Sequence, residues 1–180
     1  MNIIEIFTKS LFLIISFDSD LWEIIILSLY VSISALIIAS ILGLLIGYYI
    51  ALKKFLFKSF FLIVLNSLMG IPPVVVGLIV YFMFASGGPF GVLQLLYTPT
   101  AMIIAQVIII FPIVTSISHE IFDQNWREYK DQLRSINMPF FGVAFIITKH
   151  SYFLVITALL SAFGRAISEV GAVMIVGGNI

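Results

Sequence analysis

Apolar positions fill this chain in long blocks, separated by short polar punctuation. The first block, Ile24 to Leu52, contains no charged residue. As a helix it spans roughly 43 Å, ample for a hydrocarbon core of about 30 Å. Lys53, Lys54 and Lys58 close it off. A second block, Ser59 to Ala85, contains Asn66 and the pair Pro72-Pro73. Proline lacks an N–H and clashes with the preceding turn, so a kink or restart is expected there. Ser86-Gly87-Gly88-Pro89 is a turn signal, and the loop to Pro99 is uncharged. Thr100 to Ile117 forms a third apolar block. Residues 118–140 are rich in charge, and a last apolar block, Ser151 to Val176, is interrupted by Arg165 and Glu169.

The pattern predicts an all-α fold: a polytopic transmembrane helix bundle with about four spans and a cytoplasmic helix. Composition agrees. Of 180 residues, 62% are hydrophobic and 10% charged, against roughly 25% charged in a soluble domain. The formal net charge is zero, which gives no support for nucleic-acid binding. The absence of cysteine excludes disulfides, thiolate metal sites and cysteine nucleophiles. Residues 1–20 lack the basic start and continuous apolar run of a signal peptide, and they read as an interfacial amphipathic segment. Lys53, Lys54, Lys58, Arg127, Lys130, Arg134 and Lys149 fall on one side of four spans, and Lys9 on the other. Lys and Arg mark the cytoplasmic side, so residues 53–58 and 118–150 are inside and both termini outside.

Within the charged stretch, Phe122, Trp126, Tyr129, Leu133 and Ile136 recur at helical spacing along one stripe. Asn137 and then Pro139 give a stop signal. Such a helix either lies on lipid headgroups or docks by its aromatic stripe in a groove of a cytoplasmic partner. Spacing alone does not separate the two.

Arg165 and Glu169 are four residues apart, on one face of the expected last helix. An ionised residue at the bilayer centre costs at least about 2.5–3.5 kcal/mol. The pair either staples this helix to its neighbours or lines or gates a pathway. Ser161, Ala162, Gly164, Ala166, Ser168, Gly171 and Ala172 surround it and permit close packing. His119 and His150 are far apart and have no ligand cluster near them in sequence. Gly87 to Gly91 lacks the Lys and Ser/Thr of a phosphate loop. No nucleophile triad or carboxylate pair is visible, so no enzyme chemistry is expected.

Two segments carry a family resemblance. Residues Gly164 to Ile180, Gly-Arg-Ala-Ile-Ser-Glu-Val-Gly-Ala-Val-Met-Ile-Val-Gly-Gly-Asn-Ile, resemble the signature of tungstate-type permeases of ABC importers. Ile71-Pro72-Pro73-Val74-Val75-Val76-Gly77-Leu78 is similar to the same group, which includes molybdate and sulfate permeases. The resemblance covers residues 21–180 as a permease transmembrane domain. It implies an ATPase-coupling helix built from Phe122, Trp126, Tyr129, Asp131, Gln132, Leu133 and Asn137. There Asp131-Gln132-Leu133 stands where the family has Glu-Ala-Ala, and Asn137 stands in place of a Gly. It also implies a translocation path or gate at Arg165, Glu169 and Gly171. The family continues past Gly-Gly-Asn-Ile with a further membrane helix, so the chain is expected to lack its C-terminal part.

What the resemblance implies functionally is a multi-pass permease of the bacterial inner membrane, forming a homodimer. It implies a cytoplasmic ATPase and an extracytoplasmic tungstate-binding protein as partners. No cofactor is expected in this chain, and ATP belongs to the partner. Molybdate or sulfate is the alternative cargo. An ATP-independent channel, a secondary transporter or a membrane scaffold are the rival classes.

Overall fold

The computed structural model describes residues 18–178, together with Phe12 and Ser16. The expected interfacial segment at residues 1–20 therefore lies almost wholly outside the described residues. Among the described residues seven α-helices of eight residues or more follow in chain order: α1 Ser19–Leu52, α2 Lys58–Met69, α3 Pro73–Phe84, α4 Pro99–Ser135, α5 Phe140–His150, α6 Tyr152–Ser168 and α7 Val170–Gly177. No strand occurs among the described residues.

The Asp18 carboxylate accepts from the Leu21 N–H at 3.2 Å and so starts α1. Nothing breaks α1 before the lysine run at 53–54. Along it, Ala35, Ala39, Gly43, Gly47 and Ala51 recur every fourth residue, and all are buried. This small-residue stripe lets α4 approach closely. A Cβ on Gly43 would lie 2.8 Å from Val114 Cγ1, and one on Gly47 would lie 2.9 Å from the Thr115 carbonyl oxygen. In lipid the hydrophobic drive between helices is weak, so such close packing supplies much of the adhesion. The α1–α4 pair is the most extensive helix contact in the molecule.

Three elements differ from the expectations. First, α4 is one helix of 37 residues that passes through Pro112. Its length of roughly 55 Å exceeds the bilayer core. The expected separate cytoplasmic helix at 120–137 is instead the inner end of this span, because no Gly or Pro between Ile113 and Ser135 ends it. Second, Pro72-Pro73 does more than kink a helix: α2 and α3 meet at 99°. Third, the last apolar block is not one helix. It breaks at Glu169, whose backbone has φ −89° and ψ 82°. An additional helix, α5, precedes this block and meets α6 at 79°. Lys149 and His150 end α5. A lysine at that bend keeps it at the cytoplasmic surface, since burying the charge in lipid is costly.

By length and composition α1 and α4 each cross a bilayer, and each bent pair passes the same test as one unit. The bundle has two cores. One gathers Val80, Ile110, Ala105, Ala166, Ala172 and Val176. The other gathers Tyr48, Phe122, Leu133, Val143, Ile147 and Val155 around the charge-rich end of α4.

Candidate translocation site

The two segments that carry the family resemblance pack against each other. A Cβ on Gly77 of α3 would lie 2.8 Å from the Ala172 Cα of α7 and 3.0 Å from its carbonyl oxygen. A Cβ on Gly171 would lie 3.1 Å from Val74 Cγ2. The sequence therefore places a glycine at each of these two close approaches between α3 and α7.

The break between α6 and α7 sits beside this contact and has an identifiable cause. Gln106 of α4 is buried, with 3% exposure. Its Nε2 donates to the Ala166 carbonyl at 3.0 Å. That carbonyl lies in the last turn of α6, where carbonyls lose their helical partners. The Ser168 hydroxyl donates to the Arg165 carbonyl at 2.9 Å and satisfies a second one. The Glu169 N–H also reaches the Ala166 carbonyl at 3.4 Å, so side-chain and backbone donors together cover this turn where Glu169 leaves the helix within the bundle.

Across the break, Arg165 Nε and Glu169 Oε1 form an ion pair at 2.7 Å. The Glu169 side chain is the more buried, at 12% exposure against 41% for Arg165. The partners face different spaces. Arg165 lines a cavity of about 330 Å³ whose other walls are apolar, including Met69, Ile71, Val76 and Pro112. Glu169 lines a second cavity of about 430 Å³ toward the outer ends of α1 and α7. The pair therefore stands between two internal spaces, next to the Pro72-Pro73 and Glu169 breaks.

Sequence reasoning missed Gln106 and the Gly77–Ala172 contact. Gln106 is the only amide side chain in the apolar block Thr100 to Ile117, and that singularity was the available signal. A similar tie joins Ser116 of α4 to Asn66 of α2 by a hydrogen bond.

Most of the cytoplasmic stripe is turned toward the bundle. Phe122 and Leu133 are buried, and Trp126 and Tyr129 pack on the same inner core. Tyr48 stacks edge-on against Phe122 at 5.6 Å and donates to the Phe140 carbonyl at 2.6 Å. The Tyr129 hydroxyl lies 3.1 Å from His150 Nε2. The stripe is thus the seat of α4 on its own bundle, because α1, α5 and α6 offer it an apolar surface. Asp131, Gln132, Ile136 and Asn137 remain exposed. Asn137 has φ 48° and ends α4. The Asn137 N–H donates to the Arg134 carbonyl at 3.0 Å, and the Met138 N–H to the Leu133 carbonyl at 3.2 Å. This is the two-bond left-handed helix stop that the Asn-Met-Pro run signals. Lys58 and Arg127 both pair with Asp123, at 3.3 and 2.7 Å, and tie α2 to the inner end of α4.

Residues 39–180 match the family described as binding-protein-dependent transport system inner membrane component. The chain is 39% identical over 178 residues to the tungstate uptake system permease protein TupB of Peptoclostridium acidaminophilum, covering 99% of this chain and 78% of that protein. It is 39% identical over 153 residues to a probable anion ABC transporter permease protein of Haloferax volcanii, covering 85% of this chain and 66% of that protein. A TupB protein of Campylobacter jejuni is 32% identical over 127 residues, 71% of this chain and 53% of its own length. With this match over most of its length, the chain belongs to the binding-protein-dependent transport system inner membrane component family: it is a membrane-embedded ABC importer permease, not an enzyme, and works with a binding protein and an ATPase.

Proposed function

We propose that this permease imports tungstate, delivered from outside by a binding protein and driven by ATP hydrolysis on a cytoplasmic partner. The single observation that supports this cargo most is the 39% identity to a tungstate uptake permease across nearly the whole chain. Molybdate and sulfate are the competing oxyanions of similar shape. In this reading ATP is bound and hydrolysed on the ATPase, and the permease carries no cofactor of its own. Two copies of the chain form the pore.

Mechanistically, the α1–α4 pair serves as a fixed spine, and the broken pairs α2–α3 and α6–α7 are the moving parts. The Arg165–Glu169 bridge, with Gly171 beside it, closes the path. Residues 21–180 form the permease domain. The exposed face around Asp131, Gln132 and Asn137 receives the ATPase, while the aromatic stripe fixes α4 so that force on this face is transmitted along one helix.

The test is ATP hydrolysis by the reconstituted permease–ATPase complex with its binding protein. Tungstate is expected to stimulate turnover at lower concentrations than molybdate, and sulfate least. Equal stimulation by all three would overturn the cargo assignment. Asp131→Arg is expected to release the ATPase on purification with the permease still folded. Retention of the ATPase would place the docking face elsewhere.

A further inference from the structure

The outward cavity beside Glu169 has a chemistry that an oxyanion path does not explain. Its polar lining is Asp20, Glu23, Ser28, Ser32, Gln106 and Glu169, with no Lys, Arg or His. Apart from hydroxyls, every polar side chain there presents oxygen acceptors or an amide already in use. The Gln106 Nε2 is committed to the Ala166 carbonyl. Its Oε1 is buried and receives no hydrogen bond. A buried acceptor left without a donor costs about 1–3 kcal/mol, so such an atom points to a missing donor. Arg165 takes Oε1 of Glu169. Among the described residues no other hydrogen bond reaches that carboxylate.

The walls between these acceptors are apolar, formed by Leu27, Val31, Met102 and Val173. From Asp20 to Ser32 the lining follows about 18 Å of α1. Asp20 and Glu23 stand at the outer end, where like charges concentrate cations from solution. The volume of about 430 Å³ is far larger than a metal ion needs. Among the described residues, no three His, Asp or Glu side chains converge as ligands for one.

We propose that this cavity receives an alkylammonium group: a primary amine on an apolar stem. The ammonium donates to Gln106 Oε1 and to the Glu169 carboxylate, and the stem lies along the apolar walls. Two sources present this chemistry on the outer side, a free alkylamine or a lysine of a docked protein. The proposal concerns a binding site on this chain and does not depend on which oxyanion is carried.

The experiment titrates n-butylammonium, n-butanol and tetramethylammonium into the permease–ATPase complex in lipid nanodiscs, at fixed ionic strength, followed by calorimetry. Saturable binding of n-butylammonium is expected, about tenfold or more tighter than either control. Gln106→Leu should weaken it by about tenfold. Glu23→Gln, at an exposed position that packing does not use, should weaken it several-fold and keeps the test valid if Gln106→Leu fails to fold. Displacement of n-butylammonium by the binding protein identifies a lysine as the source. Saturable binding without displacement identifies a free amine. Butanol binding as tightly as butylammonium, or unchanged binding in both variants, would overturn the proposal and leave an apolar recess whose Gln106 is satisfied by water.

Discussion

The α1–α4 pair and the α3–α7 contact are both built from small residues, yet they do different work. The first is continuous: a five-position stripe from Ala35 to Ala51 runs along α1, one of two long unbroken helices. The second is local: Gly77 meets Ala172 where α3 follows a 99° bend and α7 follows a break. Close packing along a whole helix resists relative movement, because every layer must shift together. Close packing at one crossing between short segments permits pivoting. The same chemical device thus gives a spine in one place and a joint in the other.

The largest effect that separates them is expected from Gly47→Leu. Its side chain would meet the Thr115 carbonyl and His119 N within about 3 Å, and backbone cannot step aside. Overpacking costs about 1–3 kcal/mol or more, so monodisperse permease should largely disappear from size-exclusion profiles. Gly77→Ala should leave a folded complex, because the strain falls at the joint, but should cut uptake by about tenfold. If Gly47→Leu were tolerated and Gly77→Ala unfolded the protein, the assignment of spine and joint would be reversed.

Arg165→Gln alone leaves Glu169 without its partner in a mostly enclosed site. Removing one member of a buried pair is strongly destabilising, whereas removing both is often near neutral. Arg165→Gln should therefore lower the melting temperature more than the double change to Gln at 165 and 169. Both should impair uptake if the bridge closes the path. Normal transport by the double variant would remove the bridge from the mechanism.

A smaller effect is expected from Asn137→Ala. The left-handed conformation costs an ordinary residue about 1–2 kcal/mol, while Asn137→Gly should be neutral or stabilising. A thermal melt of the two variants checks the sign. Equal melting would mean that the helix stop does not constrain the cytoplasmic end of α4.

Much of this architecture was legible in the residues. Uncharged runs gave the spans, Pro72-Pro73 marked a break, and Asn137 marked a helix end. The Arg165–Glu169 pairing followed from a four-residue spacing. What escaped was tertiary. The break at Glu169 has no Gly or Pro at that position to announce it, and the side chain that joins the Glu169 N–H on the Ala166 carbonyl, Gln106, comes from another helix. The aromatic stripe was periodic and correctly helical. Periodicity does not say whether an apolar face meets a partner or its own bundle, and here Tyr48, Val143 and Ile147 receive it. The continuous α4 was hidden by the change from apolar to charged sequence near His119, which marks the membrane surface rather than a helix end.

The most direct test of a fixed spine with moving joints uses the absence of native cysteine. Spin labels on exposed Val75 of α3 and Leu160 of α6 report on the joint, and labels on exposed Ile38 of α1 and Ile108 of α4 report on the spine. Distances are measured by pulsed electron resonance in the assembled transporter, diluted with unlabelled permease, with and without a non-hydrolysable ATP analogue. The α3–α6 distance should change on nucleotide binding while the α1–α4 distance stays fixed. A spine distance that shifts as much as the joint distance, or a joint that does not move, would contradict the account.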